Sequence, residues 1–490
     1  MSKMTETLSC SLTVHSPLHL GCDEIYEPTG FSVDQKNQQL VVFDPQDFLE
    51  NLVPADRQRF SQLCMQGTIG SILEIYKFFK SRPMADGRRV DLCQDFLKHY
   101  QQTLSLSPKN EKNITQELNR FTISRTAFLS GVERPYIPGS AVKGAIRTAY
   151  LNYLASQKSV PTPRKTKGDY DPKQLEKLLL DYHDIPSDPF RVLKVSDFLP
   201  VGEVKTKILY AVNEKKKVTP FPARGPYQIL EVVEVEATFL GTISLQKPPA
   251  KAGIEPPLEM GKIWNAVCKF FDQEKARETT ELSQIGISLG PYTNPPADSC
   301  WLRLGRHSGA ECVTVNGHRH IRIMKDKGKA SESDKATTLW LASEYRKPQN
   351  KQSLRPFGWC LLKKLTPQEE NALRDREKDF LARTGAKRTL TTALASDRTA
   401  EGHPPASLPK PTRTEPGTEV WDGAVLSWNP GDGTLTASWQ GKKAAGKGKD
   451  LLPESLQQRI IKKKKSASAK VTVEVIGVNY FKIVSVSEKS

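Results

Sequence analysis

Nowhere in the 490-residue chain do enough apolar residues follow one another to span a bilayer, a length of about 18. The opening residues, MSKMTETLSC, also lack the apolar core of a secretory signal. A soluble, cytoplasmic protein without a membrane partner is therefore expected. Cysteines are few: 8, at positions 10, 22, 64, 93, 268, 300, 312 and 360, with no C-x-x-C pair. Such scattered cysteines read as reduced thiols, several of them packing residues, rather than zinc ligands or disulfides. Carboxylates at chelating spacing are missing near either glycine-rich loop, so neither metal nor other cofactor is expected. What the chain has in surplus is positive charge, 72 Lys+Arg against 55 Asp+Glu, for a net +17. A surplus of that size points to a polyanionic partner, nucleic acid before membrane. The length implies two or three domains.

The most informative stretch runs from Tyr136 to Tyr150 (YIPGSAVKGAIRTAY). Pro138 and Gly139 close a loop, and Ser140 suits the N-cap of a following helix. At 3.6 residues per turn, Val142, Ile146, Ala149, Tyr150 and Tyr153 gather on one buried side. Ser140, Lys143, Gly144 and Arg147 gather on the other. Free backbone N–H groups and the helix dipole favour an anion at the start of that polar stripe. Two cations one turn apart strengthen the preference, and Gly144 lets a backbone come close. These residues describe a phosphate seat, or equally a capped surface helix with two solvated cations.

Ile-Pro-Gly-Ser-x-x-Lys-Gly-x-x-Arg resembles the signature of the RAMP proteins of CRISPR effector complexes. The resemblance implies RNA-binding subunits built on ferredoxin-like, RRM-like folds.

In chain order, residues 8–20 read as a strand, with His15 and His19 on one face away from the apolar one. On a strand the two are too far apart to chelate a metal without a third ligand. Stacking on a base, or plain exposure, suits them better. A hairpin at 31–43 follows, around Asn37, and resembles the N-terminal hairpin of RAMP subunits. Residues 45–120 have helical spacing and read as a helical insertion. A strand at 121–129 leads back to the motif, with Arg125 and Arg134 flanking it as RNA-backbone contacts or solvated charges. The polar run 157–171 reads as a disordered basic loop. Strands are expected at 193–198 and 207–212, and one long strand at 232–245. There Val233, Val235, Ala237, Phe239, Ile243 and Leu245 face one way, and Glu234, Glu236, Thr238 and Ser244 the other.

A Pro-rich break at 247–257 opens a second unit with a helix at 264–271. Strands at 301–304 and 312–315 then flank Gly305-Arg306-His307-Ser308-Gly309. Such a loop suits contact with a phosphate or sugar, though a tolerant polar turn would look similar. In RAMP proteins a glycine-rich loop of this kind follows a strand of the second RRM-like unit. The Val195-Ser196-Asp197-Phe198 segment and the closing strand at 355–362 resemble the RAMP branch that caps the Csm complex.

A charged helix spans 366–380, and 381–416 reads as a flexible linker. Short strands at 420–428, 434–439, 471–475 and 480–484 suggest a small β-barrel. Its Trp residues and the Lys462–Lys465 run either contact single-stranded RNA or form its core and a solvated face.

The expected fold class is α+β. Two ferredoxin-like/RRM-like units cover 1–246, with the insertion at 45–120, and 247–380, followed by the linker and a β-barrel-like domain at 417–490. The resemblance implies a structural subunit of a type III-A CRISPR effector complex that binds the 3′ portion of the crRNA and caps the backbone. Its partners would be crRNA, single-stranded target RNA, other RAMP subunits and a host nuclease. The RNA-binding set would be Gly139, Ser140, Lys143, Gly144, Arg147, Arg125, Arg134, His15, His19, Gly305, Arg306, His307, Ser308 and Gly309, with no catalytic residue. The alternatives are a RAMP ribonuclease recruiting Asp23, Asp34, His15 or His19, a type III-B capping subunit, or a general single-stranded RNA-binding module.

Overall fold

The computed structural model describes residues 6–384 and 418–487 apart from 83–86, 107–110, 165–169, 220–222, 224, 249–252, 255–257, 290–292, 325–329, 430–433, 440–441, 449–450, 463–466 and 478–479. The expected linker lies outside the described residues. Two compact units are present, Met1–Thr399 and Ala400–Ser490. Among the described residues no helix is long and apolar enough to cross a membrane.

The larger unit begins with β1 (Glu6–Val14), β2 (Gly21–Ile25) and the hairpin β3 (Phe31–Asp34) and β4 (Gln39–Val42). Helices α1 (Pro45–Glu50), α2 (Pro54–Gln66) and α3 (Ile69–Lys80) precede β5 (Arg88–Leu92), α4 (Phe96–Leu104) and α5 (Glu111–Arg120). Next come β6 (Ile123–Thr126), β7 (Phe128–Leu129), β8 (Arg134–Pro135), α6 (Gly139–Gln157) and α7 (Pro172–Leu180). Strands β9 (Leu193–Val195), β10 (Leu199–Pro200), β11 (Thr206–Lys215), β12 (Gln228–Val233) and β13 (Thr238–Leu245) follow. The unit closes with α8 (Met260–Gln284), β14 (Ser299–Arg303), β15 (Ile321–Met324), β16 (Ala330–Ser333), β17 (Thr338–Ser343), β18 (Arg355–Pro356), β19 (Trp359–Lys364) and α9 (Pro367–Thr384).

Two sheets carry this unit. The first has the order β10-β13-β1-β19-β14, with β9 added at β13. The second has the order β2-β6-β12-β11-β5-β4-β3, with β17 added at β11 and β18 at β17. In β1 the alternating Cys10, Leu12 and Val14 are buried. They meet α6 (Val142, Ile146, Ala149, Tyr150) and α8 (Trp264, Val267, Phe270, Phe271) in one core. The apolar side read from the motif helix is thus its buried side. A second core joins Phe96 and Tyr100 of α4 to Phe121, Tyr210 and Leu230.

Several expectations are corrected. Residues 232–245 are not one strand. β12 ends at Val233 in the second sheet, Glu236 takes a left-handed turn (φ 68°), and β13 starts in the first sheet. The alternation in sequence runs across the turn without marking it: β12 buries every residue from Ile229 to Val233, and Val235 in the turn is exposed. The strand expected over 8–20 stops at Val14, and 312–315 holds a 3₁₀ turn (Glu311–Val313) instead of a strand. The region 45–120 is helical, yet its β5 pairs with β4 and β11, so it belongs to the second sheet. Strands from either side of residue 247 interleave, β1 pairing with β13 and with β19. Cys268 of α8 and Cys300 of β14 are joined as a disulfide, Cα atoms 4.7 Å apart, contrary to the reduced-thiol expectation. Packing of α8 on β14 brings together two cysteines 32 positions apart, which spacing along the chain does not reveal.

The smaller unit holds β20 (Thr418–Asn429), β21 (Thr434–Trp439), β22 (Lys442–Lys447), β23 (Ala467–Gly477) and β24 (Tyr480–Ser487), which close into a barrel. The sequence KKAAGK carries no strand signal, and β22 was not expected. It serves as a strand because Ala444 fits the filled interior.

Candidate nucleic-acid interface

Around the motif helix, most polar groups are already used inside the fold. Ser140 is not the N-cap: Pro138 is, without a side-chain hydrogen bond, and Ser140 is an exposed residue of the first turn. The Gly139 N–H donates to Asp197 Oδ1 at 2.8 Å, so a carboxylate of the chain sits where an anion was expected. A Cβ on Gly139 would lie 2.4 Å from the Val195 carbonyl oxygen, which explains the glycine by the close passage of β9. Lys143 Nζ donates to the Leu193 carbonyl at 2.8 Å. Burial, then the neighbouring Lys194, pull Lys143 below the ordinary lysine value. Arg147 is held by Glu176 of α7 at 2.7 Å and by Asp188 at 3.0 Å, and lies over the Phe190 ring. Lys143 and Arg147 thereby fasten the 171–193 connection to α6. In its first two turns α6 presents Ser140 and Gly144 outward, and a Cβ on Gly144 would meet nothing within 4 Å.

The flanking arginines are similarly committed. Arg125 pairs with Glu133 at 2.7 Å and covers the Phe128 ring at 3.6 Å. Arg134 pairs with Glu377 of α9 at 2.6 Å, donates to the Gly202 carbonyl and lies over Phe380.

The two N-terminal histidines do not share a face, because the strand ends between them. His15 is exposed and meets the Trp301 ring edge-on at 5.0 Å. His19 is buried, donates from Nδ1 to the Glu231 carbonyl at 2.7 Å, and leaves Nε2 without a partner among the described residues. Burial holds both below the ordinary histidine value. Asp34 serves the β3–β4 turn, accepting from the Asn37 side chain at 2.7 Å, while Asp23 is exposed.

His19 instead supports the glycine-rich loop. Its carbonyl accepts from the Arg306 N–H at 2.9 Å, and a Cβ on Gly305 (φ 79°) would come within 2.3 Å of it. Gly305, His307 and Gly309 all have positive φ, which folds the loop tightly under β14. Ser308 Oγ donates to the Gly305 carbonyl at 2.8 Å. His307 stacks on Trp340 with centroids 4.6 Å apart and is hydrogen-bonded through Nε2 to Gln228 at 3.2 Å. Burial, then Arg306 and His19, hold His307 down at about 3, so it stays neutral at pH 7. Below the loop, Arg303 and Glu278 form a fully buried pair, and Trp359 Nε1 donates to Glu278 at 2.7 Å.

Arg306 is therefore the one side chain of the loop that is presented. It is exposed, and no carboxylate pairs with it among the described residues. It borders a cleft of about 830 Å³ whose other walls include Gln116, Asn119, Arg120, Tyr227 and Gln228. A guanidinium, amide groups and one aromatic ring around such a cleft suit a phosphate and an unstacked base. Arg306 is legible in the sequence through its flanking glycines. The α5 and 225–228 walls are not legible there, their one signal being the Gly225-Pro226 turn ahead of a strand.

A sequence profile described as the RAMP superfamily matches residues 11–286. A curated relative, "CRISPR system Cms protein Csm5" of Methanocaldococcus jannaschii, is 27% identical over 254 residues, covering 49% of this chain and 52% of its own length. The chain thus spans about half the length of that relative. Among solved structures, a chain of a cryo-EM Csm-crRNA-target RNA ternary complex from a type III-A CRISPR-Cas system is similar at 18% identity, covering 74% of this chain and all of its own, with a TM-score of 0.47. The crystal structure of T. onnurineus Csm5 is similar at 19% identity, over 62% of this chain and 92% of its own, with a TM-score of 0.38.

Proposed function

We propose, because this chain belongs to the RAMP superfamily, that it is an RNA-binding structural subunit of a type III-A CRISPR effector complex. In this reading it binds the 3′ portion of the crRNA, caps the backbone of RAMP subunits and contacts single-stranded target RNA. The observation that carries it is the cleft at Arg306. The motif and flanking arginines are spent on internal carboxylates, whereas Arg306 is exposed on a loop built tightly enough to aim it. Net charge supports the same reading, at +17 over the chain. Binding is by position and charge, with no bond-breaking step assigned.

The test is single-stranded RNA binding by the Arg306→Glu protein. Affinity should fall roughly tenfold or more, and the salt slope should drop by somewhat less than one unit, near the single-strand value of about 0.7 per phosphate contact. An unchanged slope with an intact fold would remove Arg306 from the interface. In the same assay the parent protein should leave the RNA intact, with or without Mg²⁺. His19 is buried and His307 half-buried, both are held below the ordinary histidine value, and Asp34 is used in its turn, so none of these three is placed to take a proton from a 2′-hydroxyl. Cleavage that vanishes in a His15→Ala, Asp23→Ala protein, both positions being exposed, would establish the ribonuclease alternative.

A further inference from the structure

We propose that the C-terminal barrel is an OB-fold that takes single-stranded nucleic acid across the outer face of β21 and β22. The closed order is β20-β21-β22-β24-β23. Four of its pairings are antiparallel, and only β22 with β24 is parallel. A helical segment, Glu454–Gln457 continuing through Gln458–Lys462, joins the third strand to the fourth and buries Leu456 and Ile460 in the core. The first strand bends to serve two neighbours. Thr418–Leu426 pair with β23 and Val425–Asn429 with β21, and the register shifts between Trp421 and Ala424, where Gly423 has φ 79°. Five strands in this order, one parallel pair and a helix before the fourth strand are the OB arrangement, whose oligonucleotide surface centres on its second and third strands.

Among the described residues the interior is occupied by a cluster of apolar side chains. Trp421 is fully buried, stacks on Trp439 at 5.8 Å and donates from Nε1 to Glu419. Trp439 Nε1 donates to the Asp422 carbonyl at 2.8 Å. Of the two readings open for the tryptophans, Trp421 and Trp439 take the one of barrel structure, and binding here rests on charge and access. On the outer face Val425, Ser427, Ser438 and Ala445 are exposed, a low surface that a sugar-phosphate backbone can approach. Lys443 and Lys447 stand opposite Ser438 and Thr434 in the register, on either side of Ala445. Strands β21 and β22 contain no Asp or Glu, and residues 418–490 hold 12 Lys+Arg against 7 Asp+Glu. Topology and charge point to the same occupant, a polyanion with its bases unpaired.

This site goes beyond the RAMP reading and stands or falls apart from it. The test uses the full chain, in both parent and Arg306→Glu backgrounds, with labelled 12-nucleotide oligo(U) and oligo(dT) in a fluorescence anisotropy titration. Lys443→Glu with Lys447→Glu should weaken binding roughly tenfold and lower the salt slope by about 1.4 units. Lys470→Glu with Lys482→Glu makes the same charge change at exposed positions on β23 and β24 and should leave affinity within about twofold. A preference for oligo(U) would assign the site to RNA through its 2′-hydroxyls, and equal binding would assign it to either single strand. Equal loss from both pairs would reduce the effect to long-range charge and overturn the proposal, as would no loss from either. Should the first pair unfold the barrel, seen as loss of the near-ultraviolet tryptophan signal, Ala445→Glu replaces it. Unchanged affinity in a folded Ala445→Glu protein also overturns the proposal.

Discussion

Replacing Glu278 with leucine is expected to destabilise the larger unit by about 3–5 kcal/mol, read from urea denaturation at pH 7. Glu278 of α8 and Arg303 of β14 are both almost wholly enclosed, their side chains 2% and 1% exposed. Burial is the largest single effect and would lower the Arg303 pKa, but the Glu278 carboxylate and Cys312 together outweigh it and hold the guanidinium above its ordinary value. Arg303 also donates from Nε to the Phe357 carbonyl at 3.0 Å and lies over the Trp359 ring. Removing the carboxylate leaves a charge in an apolar interior and takes the acceptor from Trp359 Nε1. The pair itself need not be stabilising against apolar residues of the same size. The double variant Glu278→Leu, Arg303→Met should therefore recover much of the loss. Additive losses in the double variant would contradict a coupled buried pair. Because Arg303 Nη2 reaches the His307 carbonyl at 3.5 Å, the single variant should also loosen the loop that presents Arg306.

Acid should weaken the same unit well before carboxylates protonate. His99 and His307 are both held at about 3, chiefly by burial, against an ordinary value of 6.5. His99 bridges the Tyr210 and Tyr227 hydroxyls at 3.0 and 3.1 Å, so its neutral ring is built into the second core. Between pH 3 and 6.5 the unfolded chain binds protons that the folded chain refuses. Stability is therefore complete above about 6.5 and falls as the pH drops through that window. At pH 5 each histidine should cost about 1–2 kcal/mol relative to pH 7.5. His307→Asn keeps a polar group and tolerates the left-handed backbone, and should remove about half of the slope. A urea midpoint independent of pH from 7.5 to 5 in the parent protein would show that neither ring is held neutral.

What could be read in advance follows from the range of the interactions. Val142, Ile146, Ala149 and Tyr150 were legible as a buried stripe because a helix repeats locally, and all four are in the core. The polar stripe opposite them was legible only as chemistry, since its partners are distant. Arg147 meets Glu176 and Asp188, 29 and 41 positions later, and Lys143 meets the Leu193 carbonyl. A cation looks the same in sequence whether it waits for a phosphate or holds a carboxylate. The turn at Glu236 was hidden because apolar and polar residue types alternate in sequence straight through it, from Val233 to Phe239. Arg306 was legible for the opposite reason: glycines at 305 and 309 announce a tight loop before any partner is known. In the barrel, β22 escaped notice because its lysines and small residues suit only a strand closed on both sides by neighbours.

Purifying the protein from its host under native conditions and sequencing the RNA that comes with it tests the effector-subunit reading most directly. A discrete small RNA carrying a repeat-derived 5′ tag is expected, together with other RAMP subunits, and that RNA should be lost in the Arg306→Glu protein. A heterogeneous sample of cellular RNA, or none, with no RAMP partner present, would contradict it.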